Sequence, residues 1–221
     1  MATPFRGWSE AAVDFYRELE ADNSKTWWHA HKAIYDAEVR APFEALSDLV
    51  AAEFGPLKVF RPNRDTRFSK DKAPYKTRCY AVGEGEAGEA VYVEISARGL
   101  VAGSGYWMMA PDQLARFRAA VDDDASGPDL EQAVARVRAQ KLTIEGQSLK
   151  TAPRGYPRDH ARVELLRCKS LAALRSFEPA AWLATKGAGN RIVDTWRAAT
   201  PIHDWLNEHV GPSTEPPDSR W

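Results

Sequence analysis

Val91, Val93 and Ile95 alternate with Tyr92, Glu94 and Ser96. A period of two sustained over that length predicts a strand with one face buried. Thr77–Val82 reads as its hairpin partner, joined through the Gly-rich, acidic GEGEAG, which is expected as an exposed turn. Gly99 opens a third strand that runs to Trp107. Gly103 and Gly105 share one face of it, where another backbone or a ligand can approach closely. Strands that follow one another through short turns pair antiparallel, so the middle of this chain is committed to an antiparallel sheet.

Helical periodicity brackets that sheet. Ser9 is placed to cap a helix over Glu10–Ala21, with Val13, Tyr16 and Leu19 on one side. Asn23 is the expected cap of a longer helix with Trp27, His31, Ile34 and Glu38 along one stripe and Trp28 and Tyr35 along another. Pro42 either kinks that helix or opens a new one in its first turn. Phe43, Leu46, Val50 and Phe54 continue the spacing until Gly55-Pro56 ends it. Leu57–Phe60 is an apolar strand leading out, and the nearby Pro62 suits an edge.

Beyond the strands, Pro111 starts a helix with Leu114, Phe117 and Val121 on one face, closed by Asp122, Asp123 and Asp124. Three consecutive carboxylates point in different directions, so a solvated helix end is expected rather than a metal site. Another helix covers Asp129–Gln140, and Leu142–Lys150 reads as a hairpin around Glu145-Gly146. A short helix over Asp159–Cys168 and a strand over Ser170–Phe177 follow. From Glu178 the chain is helical again, with Ile192, Trp196, Ala199, Ile202, Trp205 and Leu206 as its apolar positions. Helices, then antiparallel strands, then helices define an α+β domain, an antiparallel sheet flanked by N-terminal and C-terminal helices. It is expected to be a single domain over residues 1–210, with a loose Pro-rich tail over 211–221.

Composition excludes several classes. At 221 residues, 44% hydrophobic and 28% charged, the chain has the balance of an ordinary globular protein. MATPFRGWSE lacks a basic region followed by an apolar run, so no signal peptide is expected. The longest uncharged run, Gly99–Pro111, is too short and too rich in Gly to span a bilayer. Cys79 and Cys168 do not make a disulfide framework, which points to a cytoplasmic protein with free thiols. His29 and His31 sit two apart on a helix and face apart, so no metal site is read there. No dinucleotide or phosphate-binding Gly loop is present, and no cofactor is expected.

The charge is unevenly placed. Arg61–Arg78, RPNRDTRFSKDKAPYKTR, holds seven basic residues against Asp65 and Asp71. Lys150–Arg175 holds another seven against Asp159 and Glu164. The two stretches carry fourteen of the 30 basic and four of the 31 acidic residues, leaving 16 against 27 for the rest of a chain whose total is -1. Such segregation shapes the electrostatic field. Isolated surface ion pairs contribute only ~0–1 kcal/mol, so folding alone is a weak reason to gather seven cations in eighteen residues.

The first stretch also carries a family resemblance. RDTRFSKDKAPYKT, with NSKTWWHAHKAIYDAEVRAP before it and GLVAGSGYW, LKTAPRGYPRDHARVELLRCKSL and TPIHDWL after it, resembles an uncharacterised, largely bacterial family catalogued as domain of unknown function 2461. The similarity runs over nearly the whole chain. The resemblance implies kinship and carries no settled activity, cofactor or catalytic residue.

Function is therefore read from the residues. Arg64, Arg67, Lys70, Lys72 and Lys76 are candidate ligands for phosphate or carboxylate groups, because guanidinium forks and ammonium charges both suit oxyanions. Against that stands an ion-pair knot, with Asp65 holding Arg67. Tyr75, between Lys72 and Lys76, is a candidate anion contact and proton-transfer group, or a buried structural tyrosine. Glu94 is either a site carboxylate or a solvated one. In PRGYPRDH, Arg154, Arg158 and His160 lie on a turn before a helix whose N-terminus favours an anion; the alternative for His160 is a capping role. The reading adopted is an anion-binding domain for a phosphate-bearing or other anionic ligand, with the two basic stretches meeting as walls. Two alternatives stand beside it: an enzyme acting on a phosphorylated or nucleic-acid substrate, and a protein-interaction module using some of the eight Trp. A near-neutral total charge weakens nucleic acid as a partner.

Overall fold

The computed structural model describes residues 4–67, 69–85 and 89–215. It begins with helix α1 (Glu10–Ala21) and helix α2 (Lys25–Ile34), which passes through a π-helical turn (Tyr35–Arg40) into α3 (Ala41–Phe54). Strands β1 (Lys58–Val59), β2 (Arg78–Glu84), β3 (Ala90–Ser96) and β4 (Gly99–Tyr106) follow. Helices α4 (Pro111–Asp122) and α5 (Gly127–Ala139), strand β5 (Thr143–Glu145), the short helix α6 (Val163–Leu166) and strand β6 (Leu171–Phe177) come next. A 3₁₀ turn (Ala181–Ala184), α7 (Gly187–Ala198) and α8 (Thr200–His209) complete the chain. The strands form one six-stranded antiparallel sheet in the order β1-β2-β3-β4-β6-β5. The α+β class and the antiparallel sheet expected from the sequence are the ones observed. Of the GEGEAG connection, residues 86–88 lie outside the described residues.

The chain divides into two compact units: residues 1–83, 91–102 and 176–194 form the first, and 84–90, 103–175 and 195–221 the second. The first is built on aromatic packing. Trp8 is fully buried and meets Phe43 at 4.8 Å between ring centroids, while its indole N–H donates to the Val39 carbonyl at 3.1 Å. Phe15 packs edge-on against Trp28 at 5.6 Å. Ser9 occupies the expected cap position, but its hydroxyl donates to Glu38 at 2.6 Å instead of capping α1. Helix α2 is capped by Ser24, which accepts from the Trp27 amide at 3.1 Å, and not by Asn23.

The π-helical turn has a local cause. Pro42 has no N–H to return to Glu38, so the regular ladder is interrupted just where α3 begins. The Ala41 amide reaches back five residues, to the Asp36 carbonyl. The wider turn leaves Tyr35 and Val39 buried and brings Phe43, Leu46 and Val50 of α3 into the same core. Gly55, at φ 72°, then ends the helix, and β1 pairs at the sheet edge with Lys58 opposite Val82.

The second unit has its own core of Tyr106, Phe117, Leu130, Leu166, Ile202 and Leu206, all fully buried. The close approach anticipated at the β4 glycines is realised. A Cβ at Gly103 would stand 2.6 Å from the Ala173 carbonyl oxygen, and one at Gly105 would stand 2.3 Å from that of Leu171. Two expectations need correction. Leu142–Lys150 is no hairpin: β5 pairs with β6, Ile144 opposite Ala173, the Gln147 carbonyl accepts from the Lys169 amide and the Leu149 amide donates to the Arg167 carbonyl, so the partner is distant in sequence. The helix expected over Asp159–Cys168 shrinks to Val163–Leu166. There the His160 ring accepts the Arg162 amide at 3.0 Å, a side-chain bond that competes with helical hydrogen bonding.

Candidate anion-binding site

The Arg61–Arg78 stretch leaves β1 and returns into β2 as an extended loop. The Arg64 amide donates to the Pro74 carbonyl at 2.9 Å and the Lys76 amide to that of Pro62 at 2.8 Å, which extends the β1–β2 ladder. Two prolines sit at the acceptor positions, where a missing N–H costs nothing. Asn23, in the turn between α1 and α2, fixes the loop by bonding to both the amide and the carbonyl of Tyr75. Tyr75 itself is buried, its ring stacked on Trp28 at 4.1 Å and 11°.

Three of the seven cations have carboxylate partners. Arg67 grips Asp65 with two nitrogens, the shortest contact 2.6 Å, and that guanidinium pulls the carboxyl down to about 2. Arg64 pairs with Asp71, whose pKa it lowers with help from the Ala73 amide. Arg78 lies 3.3 Å from Glu94. Among the described residues no carboxylate lies within 4 Å of Arg61, Lys70, Lys72 or Lys76. The Lys72 and Lys76 ammonium groups instead donate to the main-chain carbonyls of Thr66 and Arg61, at 2.9 Å each.

A cleft of about 450 Å³ opens beside the loop, lined by Glu20, Asn23, Arg64, Asp71, Lys76 and Arg78, with Tyr75 and Thr77 in its wall. Arg67, Lys70 and Lys72 of the candidate set lie outside this lining. A cleft of about 480 Å³ lies against Trp8, Val13 and Leu183, with Glu10 and Arg17 as its charged groups. It lacks the concentration of cations found at the loop.

Glu94 departs from the solvated carboxylate the alternation implied, for its side chain is 7% exposed. It accepts from the Tyr92 hydroxyl and is covered by Arg78. Burial first, and then the adjacent Glu94 charge, raise the Tyr92 pKa far above the usual phenol range. Tyr92 is therefore a donor to Glu94 at neutral pH. Behind the strand, burial pushes the Cys79 thiol up to about 11, and its sulfur lies 3.7 Å from the Tyr35 hydroxyl. A nucleophilic role for Cys79 has no support in that setting.

In the second unit the Lys150–Arg175 stretch is engaged differently. The His160 Nε2 lies 3.0 Å from Asp122, while its other nitrogen accepts the Arg162 amide. Arg162 is 9% exposed and donates to the Val121 and Asp122 carbonyls at 2.6 and 2.8 Å and to Asp124 at 2.8 Å. This cation closes the C-terminus of α4 and offsets the acidic run there. Asp123 accepts from the Ala125 and Ser126 amides. Arg154 and Arg158 are exposed. With α6 only four residues long, the helix N-terminus expected to favour an anion contributes little. Among the described residues no three metal-ligating side chains gather.

Sequence reasoning singled out the loop, of which Thr77 and Arg78 are part, but not Glu20 or Asn23 as its companions in the cleft. Asn23 was read as a cap because Asn before a helix has that meaning locally; the partner fifty-two residues away left no trace in the pattern. The model of a family described as conserved hypothetical protein (DUF2461) matches residues 11–205, and the chain belongs to that family. No curated protein matches it.

Proposed function

We propose that this family member binds a small phosphate-bearing or other anionic ligand in the cleft of its first unit. Lys76, Arg64 and Arg78 supply the charge, and Asn23 and Thr77 line the same wall. The observation that carries the reading is the imbalance of the loop: among the described residues Lys76, which lines the cleft, has no carboxylate within 4 Å, nor do Arg61, Lys70 and Lys72 around it in the chain, although three other cations of the same eighteen residues do. A structural knot would pair its charges. Arg67, Lys70 and Lys72 form the outer rim in this proposal, with Tyr75 holding the loop. Arg154 and Arg158, exposed in the second unit, are proposed as contacts for the same class of ligand, with His160 held by Asp122 beside them.

The test is calorimetric titration with inorganic phosphate and pyrophosphate at about 50 and about 200 mM salt. Saturable binding that weakens with salt is expected, and the Arg64→Ala/Lys76→Ala double variant should lose it while remaining folded by circular dichroism. Absence of saturable binding by the wild type at the lower salt overturns the proposal. A double variant that binds pyrophosphate as well as the wild type does so too.

A further inference from the structure

Next to the cleft, the outward face of the first three strands carries a row of aromatic rings interleaved with cations. The Phe60 amide donates to the Tyr80 carbonyl at 3.0 Å, which makes the two residues cross-strand neighbours. Their rings stack at 4.6 Å between centroids and 22°. Tyr80 in turn lies 5.8 Å from Tyr92 on β3, so the row crosses three strands. All three rings are half-buried. Along β2 the outward positions are Arg78, Tyr80 and Val82, while Cys79 and Ala81 face the core.

The cations lie over these rings. The Lys58 ammonium is 5.4 Å from the Phe60 centroid, and that of Lys76 is 4.8 Å from Tyr80 and 5.7 Å from Phe60. The Arg78 guanidinium is 5.9 Å from Tyr80. Of the negative charges nearby, Glu94 is buried and paired with Arg78, Glu84 stands at the far end of β2, and Glu20 and Asp71 line the cleft that Lys76 shares. Among the described residues neither Lys58 nor Lys76 has a carboxylate within 4 Å, so both keep a positive field beside the aromatic row, and Arg61 follows Phe60 in the chain.

We propose that this face of β1, β2 and β3 binds single-stranded nucleic acid, with bases stacked on Phe60, Tyr80 and Tyr92 and phosphates held by Lys58, Arg61 and Lys76. The inference rests on the anion-binding reading, since Lys76 serves both, and it names the ligand class. A bare phosphate site has no use for a row of rings. A row of rings docking a protein would not be rimmed by unpaired lysines. Together, stacking platforms and backbone-tracking cations are the arrangement that accepts unpaired bases without reading their sequence. Arrival of a base asks only that a lysine stem swing aside from the ring, which leaves its ammonium placed for the adjoining phosphate. Polyanion attraction follows the local field, so a total charge of -1 is no obstacle.

Fluorescence anisotropy of the full chain with labelled decamers of thymidylate and of uridylate, and with an abasic decamer of equal charge, tests this. The base-bearing decamers are expected to bind about tenfold or more tightly than the abasic one, consistent with stacking on even one ring. Phe60→Ala and Tyr80→Ala should each weaken the thymidylate decamer about tenfold and pyrophosphate by less than that. Equal affinity for abasic and base-bearing strands overturns the inference, and so does absence of binding to any decamer. The abasic comparison uses only wild-type protein, so a variant that fails to fold does not blunt it. Pyrophosphate binding without decamer binding removes this inference and leaves the anion site standing. Base-dependent binding without pyrophosphate binding does the reverse.

Discussion

Asn23 closes two hydrogen bonds with the main chain of Tyr75, donating to its carbonyl at 3.0 Å and accepting its amide at 3.1 Å. One side-chain amide thereby acts as a short piece of neighbouring strand, and it ties the turn after α1 to the loop that carries the cations. Replacing it by Ala leaves both main-chain groups without their partner. We expect Asn23→Ala to cost about 1–3 kcal/mol in urea denaturation and to weaken pyrophosphate binding by loosening the cleft wall. Asn23→Asp keeps the acceptor and adds a negative charge to the cleft. It should lose less stability than the Ala variant and at least as much affinity; undiminished affinity in the Asp variant would count against the site.

The pairs Arg78–Glu94 and Arg64–Asp71 look alike in sequence and differ in setting. Glu94 is 7% exposed and Asp71 is 63% exposed. Removing the cation from a buried carboxylate strands a charge, typically at ~3–5 kcal/mol, whereas an exposed pair is worth ~0–1 kcal/mol. Arg78 is itself 53% exposed, which moderates the first figure. Arg78→Met should destabilise the protein by about 2 kcal/mol, and Arg64→Met by clearly less. Adding Glu94→Gln to Arg78→Met should recover most of the loss, and chemical denaturation of the three variants measures the order.

Much of the fold could be read from the chain, and the failures share a cause. The alternation at Val91, Val93 and Ile95, the stop at Gly55 and the paired glycines of β4 are local signals whose structural meaning is also local. Glu94 was misread because its burial comes from Tyr92 and from Arg78 across the strands, which no periodicity records. Glu145-Gly146 has the composition of a hairpin, yet β5 is taken by β6, whose pairing outweighs a local turn. At the site, charge density identified the loop. What it could not identify were the groups brought to it by folding: Asn23 and Glu20 from the helical turn, and the Phe60–Tyr80–Tyr92 row, whose members stand twenty and twelve positions apart.

Gly103 and Gly105 offer a test of the sheet. Either Cβ would collide with main-chain oxygen, which cannot rotate away as a side chain can. We expect Gly103→Ala and Gly105→Ala each to cost more than about 2 kcal/mol by thermal or chemical denaturation. Gly155→Ala, in open space at φ 94°, bears only backbone strain and should cost about 1 kcal/mol.

Asp112 connects α4 to the segment after α8. It accepts from the Thr214 amide at 2.8 Å, the Ser213 hydroxyl at 2.7 Å and Arg116 at 3.0 Å. The Thr214 amide first, with Ser213 and Arg116, holds its pKa well below the usual carboxylate range. A carboxyl depressed in the folded state contributes stability that is complete above its unfolded value of about 3.9 and is lost as pH falls below it. As pH falls from about 4 toward that depressed folded value, residues 212–214 should be progressively released, seen as a falling amide protection factor at Thr214. Asp112→Asn should exchange rapidly there already at neutral pH and show a flatter acid limb of stability.

The π-helical turn at Tyr35–Arg40 sets a rotational phase. It lets α2 and α3 run on as one rod while each turns its own apolar edge inward, Trp28 on one side of the junction and Phe43, Leu46 and Val50 on the other. The turn holds one residue more than a regular α-helix would, so a substitution that restored the α-helical ladder without removing a residue would rotate everything beyond it by about 100°. The downstream apolar edge would then swing toward water, so loss of the one extra residue is the change in length this stretch can absorb.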